Sequence, residues 1–136
     1  MKALTTALFG KATGSSFLTA VGSRFYKHRA PENAVFPYAV YGLVSDTSDP
    51  TFAEQLEDVL IQFDLYSSAS SSGEVEDLYT YLKSLYDDCT FAITGETLLS
   101  CVRENAVLFV EDYTTTAGTV EVWHYAVDYR IRTKVG

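Results

Sequence analysis

The stretch at residues 54–66 constrains this chain more tightly than any other. Val59, Ile61, Phe63 and Leu65 alternate with Leu60, Gln62, Asp64 and Tyr66. A period of two places the first set on one face of a β-strand. That face is uniformly apolar and must be covered, whereas the other face is mixed. The cover is legible downstream. Val75, Leu78, Tyr79, Leu82, Leu85 and Tyr86 recur at helical spacing and predict one amphipathic helix over about residues 72–88. Ser71 with Glu74 reads as a capping box, and Glu74, Glu76 and Asp77 suit the positive end of the helix dipole.

The remaining elements follow from punctuation. Leu4, Ala7 and Leu8 predict a short helix over 3–12, and Phe17, Leu18 and Val21 predict a second helical turn over 16–21, closed by Gly22. A short strand is expected at 24–27. Pro31 ends it, and Pro37, which has no N–H for a ladder, sets the start of the next strand, 38–44. "SDTSDP" at 45–50 reads as a turn or protruding loop, and "SSASSSG" at 67–73 as a flexible break. A short strand at 91–93, a long bulged strand over 97–111, a hairpin loop at 112–119 and a last strand over 120–133 complete the chain. In that last strand Trp123, Tyr125, Val127, Tyr129 and Ile131 share one face, and His124, Asp128, Arg130 and Arg132 the other. Strands cluster rather than alternate with helices. The expected fold is therefore α+β: a mainly antiparallel β-sheet packed against one long amphipathic helix, with a short helical N-terminus, in a single domain over 1–136.

Charge narrows the function. The net charge of −8 and pI near 4.6 oppose a protein that grips nucleic acid. They allow one that surrounds DNA without holding it, since a negative lining repels phosphates. Two cysteines are too few for a disulfide scaffold, and both are read as reduced in a cytosolic setting. Lys11 interrupts the first apolar run too early for an export signal, and no run approaches a membrane span.

No nucleophile, phosphate-loop or zinc-binding pattern is present. His124 reads as a satisfied sheet-face residue and His28 as a solvated loop residue. Cys89 follows Asp87 and Asp88, whose charge disfavours a thiolate. Glu57, Asp58 and Asp64 read as a solvated strand edge. Asp46, Asp49, Glu111 and Asp112 fit no calcium-loop spacing. No catalytic residue, metal or cofactor is assigned. Arg24, Lys27, His28 and Arg29 form one basic group, and Arg130, Arg132 and Lys134 another. Two readings stay open: surface charge balance, or a head-to-tail contact of basic edge with acidic edge between identical subunits.

At "RFYKHRAPENAVFPYAVYG" the sequence resembles the tail-completion family of long-tailed bacteriophages, which includes tail-to-head joining and tail-terminator proteins. The matching positions are Arg24-Phe25-Tyr26, Ala30-Pro31 and the run from Pro37 to Gly42, followed later by Trp123, Tyr125, Val127, Tyr129, Arg130 and Ile131. The order of the elements agrees over nearly the whole chain. The resemblance implies a structural virion protein and no enzyme. It would form a ring, commonly of six subunits, at the head-proximal end of the tail tube. The ring would stop tube polymerisation and join the tail to the head-side connector, with DNA passing through its lumen. Its partners would be itself, the tube protein and the connector, with no membrane involved. Interface residues expected on this basis are Arg24, Arg29, Glu32, Asn33, Phe36, Asp46, Asp49, Asp112, Tyr113, Arg130 and Arg132. The alternative is a small α+β enzyme or ligand-binding domain with a pocket between helix 72–88 and the sheet, using Tyr79, Tyr86 and Asp64. A secreted accessory protein is disfavoured by the expected lack of an export signal.

Overall fold

The computed structural model describes residues 2–51, 54–115 and 118–135, with the backbone alone at 48–51, 54–55 and 115. Its elements are α1 (Lys2–Ala12), α2 (Ser16–Ala20), β1 (Phe25–Lys27), β2 (Tyr38–Thr51), β3 (Glu54–Ser67), α3 (Gly73–Tyr86), β4 (Glu96–Thr115) and β5 (Gly118–Val135). The strands form one sheet in the order β1-β2-β3-β5-β4. β1 runs parallel to β2, and every other neighbouring pair is antiparallel.

The expectation of a mainly antiparallel sheet covered by one long helix is corrected by this arrangement. The sheet is mixed and five-stranded, and the helices are all short, at 11, 5 and 14 residues. Length gives the reason. A 14-residue helix spans about 21 Å, whereas the 20 residues of β4 extend over roughly 65 Å. α3 therefore leaves much of the apolar face open, and α1 and α2 share it. Leu4, Leu8 and Ala12 of α1 and Phe17 of α2 are as buried as Val75, Leu78 and Leu82 of α3. Two tyrosines fasten α1 to this layer. Tyr86 Oη donates to the Leu8 carbonyl at 2.6 Å, and Tyr41 Oη to that of Thr5 at 3.5 Å.

The parallel pairing of β1 and β2 has its own cause. The connection at 28–37 returns the chain to the starting end of β1 before β2 begins. Arg24 braces the return: its Nε donates to the Pro37 carbonyl at 3.0 Å and its Nη2 to that of Phe36 at 3.5 Å. His28 donates its N–H to the Tyr41 carbonyl at 2.7 Å and lies over Gly42. A Cβ at Gly42 would meet His28 Nδ1 at 3.0 Å, so the residue closing the "PYAVYG" run is small for a packing reason.

Two segments expected as loops are strand. Residues 45–50 continue β2 opposite 55–60, with Pro50 paired to Gln55. Proline is tolerated there because β1 reaches only as far as Tyr41, leaving the outer side of β2 unpaired with β1 beyond it. Residues 112–115 and 118–119 belong to β4 and β5. In both hairpins the closing ladder overrides the composition of the tip. Residues 91–93 contribute a single bridge, Ile93 to Glu96. The capping box is replaced as well: Ser72 is the N-cap, Ser67 Oγ donates to Glu74 Oε1 at 2.7 Å, and Ser72 Oγ to Glu76 Oε2 at 3.1 Å.

The core is formed by the sheet face under the helices. Phe25, Ala39, Tyr41, Val59, Ile61, Phe63, Leu65, Val127, Tyr129 and Ile131 all lie in it. Among the described residues, the opposite face carries no helix.

Candidate interaction surface

The uncovered face is organised by register. Tyr38 lies opposite Tyr66, Tyr66 opposite His124, and His124 opposite Phe109, which makes one transverse row over four strands. The rings meet along it: Tyr38–Tyr66 at 4.8 Å, Tyr66–His124 at 4.3 Å and Phe109–His124 at 4.4 Å between centroids. Phe36 extends the row, 5.2 Å from Tyr38. Cross-strand aromatic pairs of this kind stabilise a sheet; Tyr38 and His124 are buried within the row, and Phe109 is exposed at its β4 end.

His124 is held at both nitrogens. Nε2 is 2.8 Å from Asp64 Oδ1 and Nδ1 is 3.2 Å from Glu111 Oε1. Tyr113 Oη donates to the other Glu111 oxygen at 2.7 Å. Burial alone would lower the imidazole pKa. The hydrogen bonds and charges of Asp64 and Glu111 outweigh it, and the pKa is raised above 6.5. For Glu111, burial pushes upward, but the bonds from Tyr113 and His124 leave its pKa lowered.

A pH dependence follows, with a sign for each group. His124 has a raised folded-state pKa, so its stabilisation is full below the unfolded value and is lost as pH rises through the folded one. Glu111 has a depressed pKa, so its share is present above the unfolded carboxylate range and is lost as pH falls through the folded value. The melting-temperature gap between wild type and His124→Gln is expected to be largest around pH 6 and to narrow steadily toward alkaline pH. A gap independent of pH in thermal melts contradicts this.

A second cluster lies further along the same face. Arg130 reaches Asp58 Oδ1 at 2.7 Å through Nη1 and grips Glu104 through Nε and Nη2, while Arg132 Nε is 3.6 Å from Asp58 Oδ2. These arginines thus have acidic partners within their own chain.

The residues expected at an interface fall into separate groups. Phe36 joins the aromatic row, and Tyr113 reaches it through Glu111. Arg29, Glu32 and Asn33 are exposed on the β1–β2 connection, while Arg24 is turned inward as its brace. Arg130 and Arg132 form the second cluster. Asp46 is exposed opposite Val59, and Asp112 is exposed on β4. The side chain of Asp49 lies outside the described residues. Sequence reading missed Tyr38, Tyr66, Phe109 and Glu111 as one unit; the available signal was only an aromatic or acidic residue on the mixed side of each strand. The alternative pocket does not assemble. Tyr79 and Tyr86 are packed between α3 and the sheet, whereas Asp64 is on the other face, bonded to His124. Among the described residues, no group of three or more His, Cys, Asp or Glu is placed to hold a metal ion.

The two ends of the sheet differ. β3 stops at Ser67, opposite Trp123, while β4 and β5 continue from Glu111↔Val122 to Thr115↔Gly118 as a two-stranded arm. The Thr51↔Glu54 end of the β2–β3 pair lies at the other end. The sequence model of the tail completion protein gp17 family matches residues 2–134, and the chain belongs to that family: it is a structural protein of the phage virion tail. A solved chain from the virion of native gene transfer agent (GTA) particle shares the fold, with a TM-score of 0.64 at 12% identity over 95% of this chain and 92% of that one. No curated protein sequence matches.

Proposed function

We propose that the chain acts as one domain that assembles with copies of itself into a ring, commonly of six, at the head-proximal end of the tail tube. The ring ends tube polymerisation and joins the tail to the head-side connector, while DNA passes through without being gripped. The role is non-enzymatic. The observation that carries this reading is the polarity of the sheet. The β4–β5 arm leaves one end and the β2–β3 pair ends at Thr51↔Glu54 at the other, so a ring of such subunits presents different surfaces to tube and connector. The acidic balance supports a lumen that repels phosphate. The subunit is made in the host cytoplasm.

Oligomeric mass tests the ring. Native mass spectrometry of the chain, alone and with tube protein, is expected to show one closed multiple of the 15.1 kDa subunit in at least the second condition. A monomer in both overturns the ring. The expected interface residues remain part of this proposal, with the arm and the aromatic row as its two leading surfaces.

A further inference from the structure

The two cysteines lie against one another across the α3–β4 connection. Cys89 follows the last turn of α3, and its N–H donates to the Tyr86 carbonyl at 3.4 Å. Cys101 is buried on β4, and its Sγ donates to that same carbonyl at 3.3 Å. Asp88 N–H donates to the Cys101 carbonyl at 3.1 Å, which fixes the turn against the strand. Both cysteines thus meet at the Tyr86 carbonyl, Cys89 through its N–H and Cys101 through its Sγ.

The pair is asymmetric. Cys89 is half-buried and Cys101 is buried. Lys11 Nζ donates to the Thr90 carbonyl at 3.2 Å, which holds an ammonium near Cys89. Asp87, whose charge was expected to suppress a thiolate at Cys89, is turned to Arg103 and Tyr129. The neighbouring Cys101 thiol, helped by Lys11, lowers the Cys89 pKa against burial and the remaining influence of Asp87. The neighbouring Cys89 and burial push the Cys101 pKa up. An accessible, lowered thiol beside a buried partner is the arrangement that thiol–disulfide exchange requires.

We propose that Cys89 and Cys101 form an exchange site for low-molecular-weight disulfides, which close the pair into an intrachain bridge tying the end of α3 to β4. The Cys89 thiolate attacks one sulfur of the small disulfide. Its S–S bond breaks, a mixed disulfide forms on Cys89, and the first small thiolate leaves. Cys101 then attacks the Cys89 sulfur, and the second small thiolate leaves. The two protein thiols are oxidised, the small disulfide is reduced, and the two thiol protons end on the two small thiols. A virion protein passes from the reducing cell interior to an oxidising exterior. The site is thus open during folding and closes afterwards. It does not depend on the ring.

The test uses the reduced, folded chain with excess oxidised glutathione, followed by intact mass and peptide mapping. The wild type is expected to lose two hydrogens, retain no glutathione and yield a linked peptide containing Cys89 and Cys101. Cys101→Ala is expected to stop with one glutathione on Cys89, and Cys89→Ala to stay unmodified over the same period. Circular dichroism checks the fold of each variant, and Cys101→Val preserves volume should the alanine variant melt. Glutathione accumulating on the wild type without an internal bridge overturns the proposal. So does modification of Cys89→Ala as fast as Cys101→Ala.

Discussion

Phe63→Ala is expected to lower the folding free energy by about 3–5 kcal/mol, a large share of the roughly 5–15 kcal/mol that holds a domain together. Phe63 is fully buried. Its ring meets Tyr86 at 4.8 Å, Tyr129 at 5.5 Å, Phe25 at 6.3 Å and Tyr41 at 6.4 Å. These neighbours belong to α3, β5, β1 and β2, so one side chain joins four elements. The void should collapse poorly, because three of its walls are pinned by their hydroxyls: Tyr86 to Leu8, Tyr129 to Asp87 and Tyr41 to Thr5. Leaning inward would break buried hydrogen bonds. Phe109→Ala, on the open face, is expected to cost about 1 kcal/mol or less beyond its cross-strand contacts. Denaturant midpoints at unchanged m-value measure both. A loss at Phe63 no larger than that at Phe109 contradicts this account of the core.

The contribution of Phe63 to the core was readable in advance, because alternation along one strand is a local signal. Val59, Ile61, Phe63 and Leu65 had to face inward together. The spacing from Val75 to Tyr86 marked only one of the three short helices that cover them, and the expectation of a single long helix was wrong because α1 and α2 share the face. What was not readable is relational. Nothing in residues 24–44 announces that β1 runs parallel to β2, since that depends on where the connection returns the chain. Nor could the polar segments at 45–50, 112–115 and 118–119 be known as strand, because a hairpin ladder is a property of two segments. Their Asp, Ser, Thr and Pro residues favour turns only when no partner strand is present.

The site was legible as residue types and not as geometry. His124 was correctly read as a satisfied sheet-face residue, but its partners Asp64 and Glu111 come from strands on either side of β5. A slip of one residue would send every side chain of a strand to the other face. The Arg130 cluster behaves likewise. Its basic character was visible, while pairing with Asp58 and Glu104 required the register. At Cys89 the sequence neighbours gave the opposite expectation, because Asp87 turns away from the thiol toward Arg103 and Tyr129.

Excising residues 112–121 and joining Glu111 to Val122 through a two-residue Asn-Gly turn is expected to separate folding from function. The cut leaves the His124–Glu111 contact and the core in place, and Asn-Gly suits a tight hairpin. Stability should therefore change by about 1 kcal/mol or less. The partner contact proposed for the arm should be lost. An anchor of that kind contributes about 2–4 kcal/mol, so its loss weakens affinity by roughly thirty-fold or more. The most direct measurement is electron microscopy of particles assembled with the wild-type chain, with the arm variant, and without the chain. Overlong tail tubes detached from filled heads are expected in the last two conditions, and normal joined particles only in the first. Tails of normal length attached to heads in the absence of the chain would contradict the proposed role.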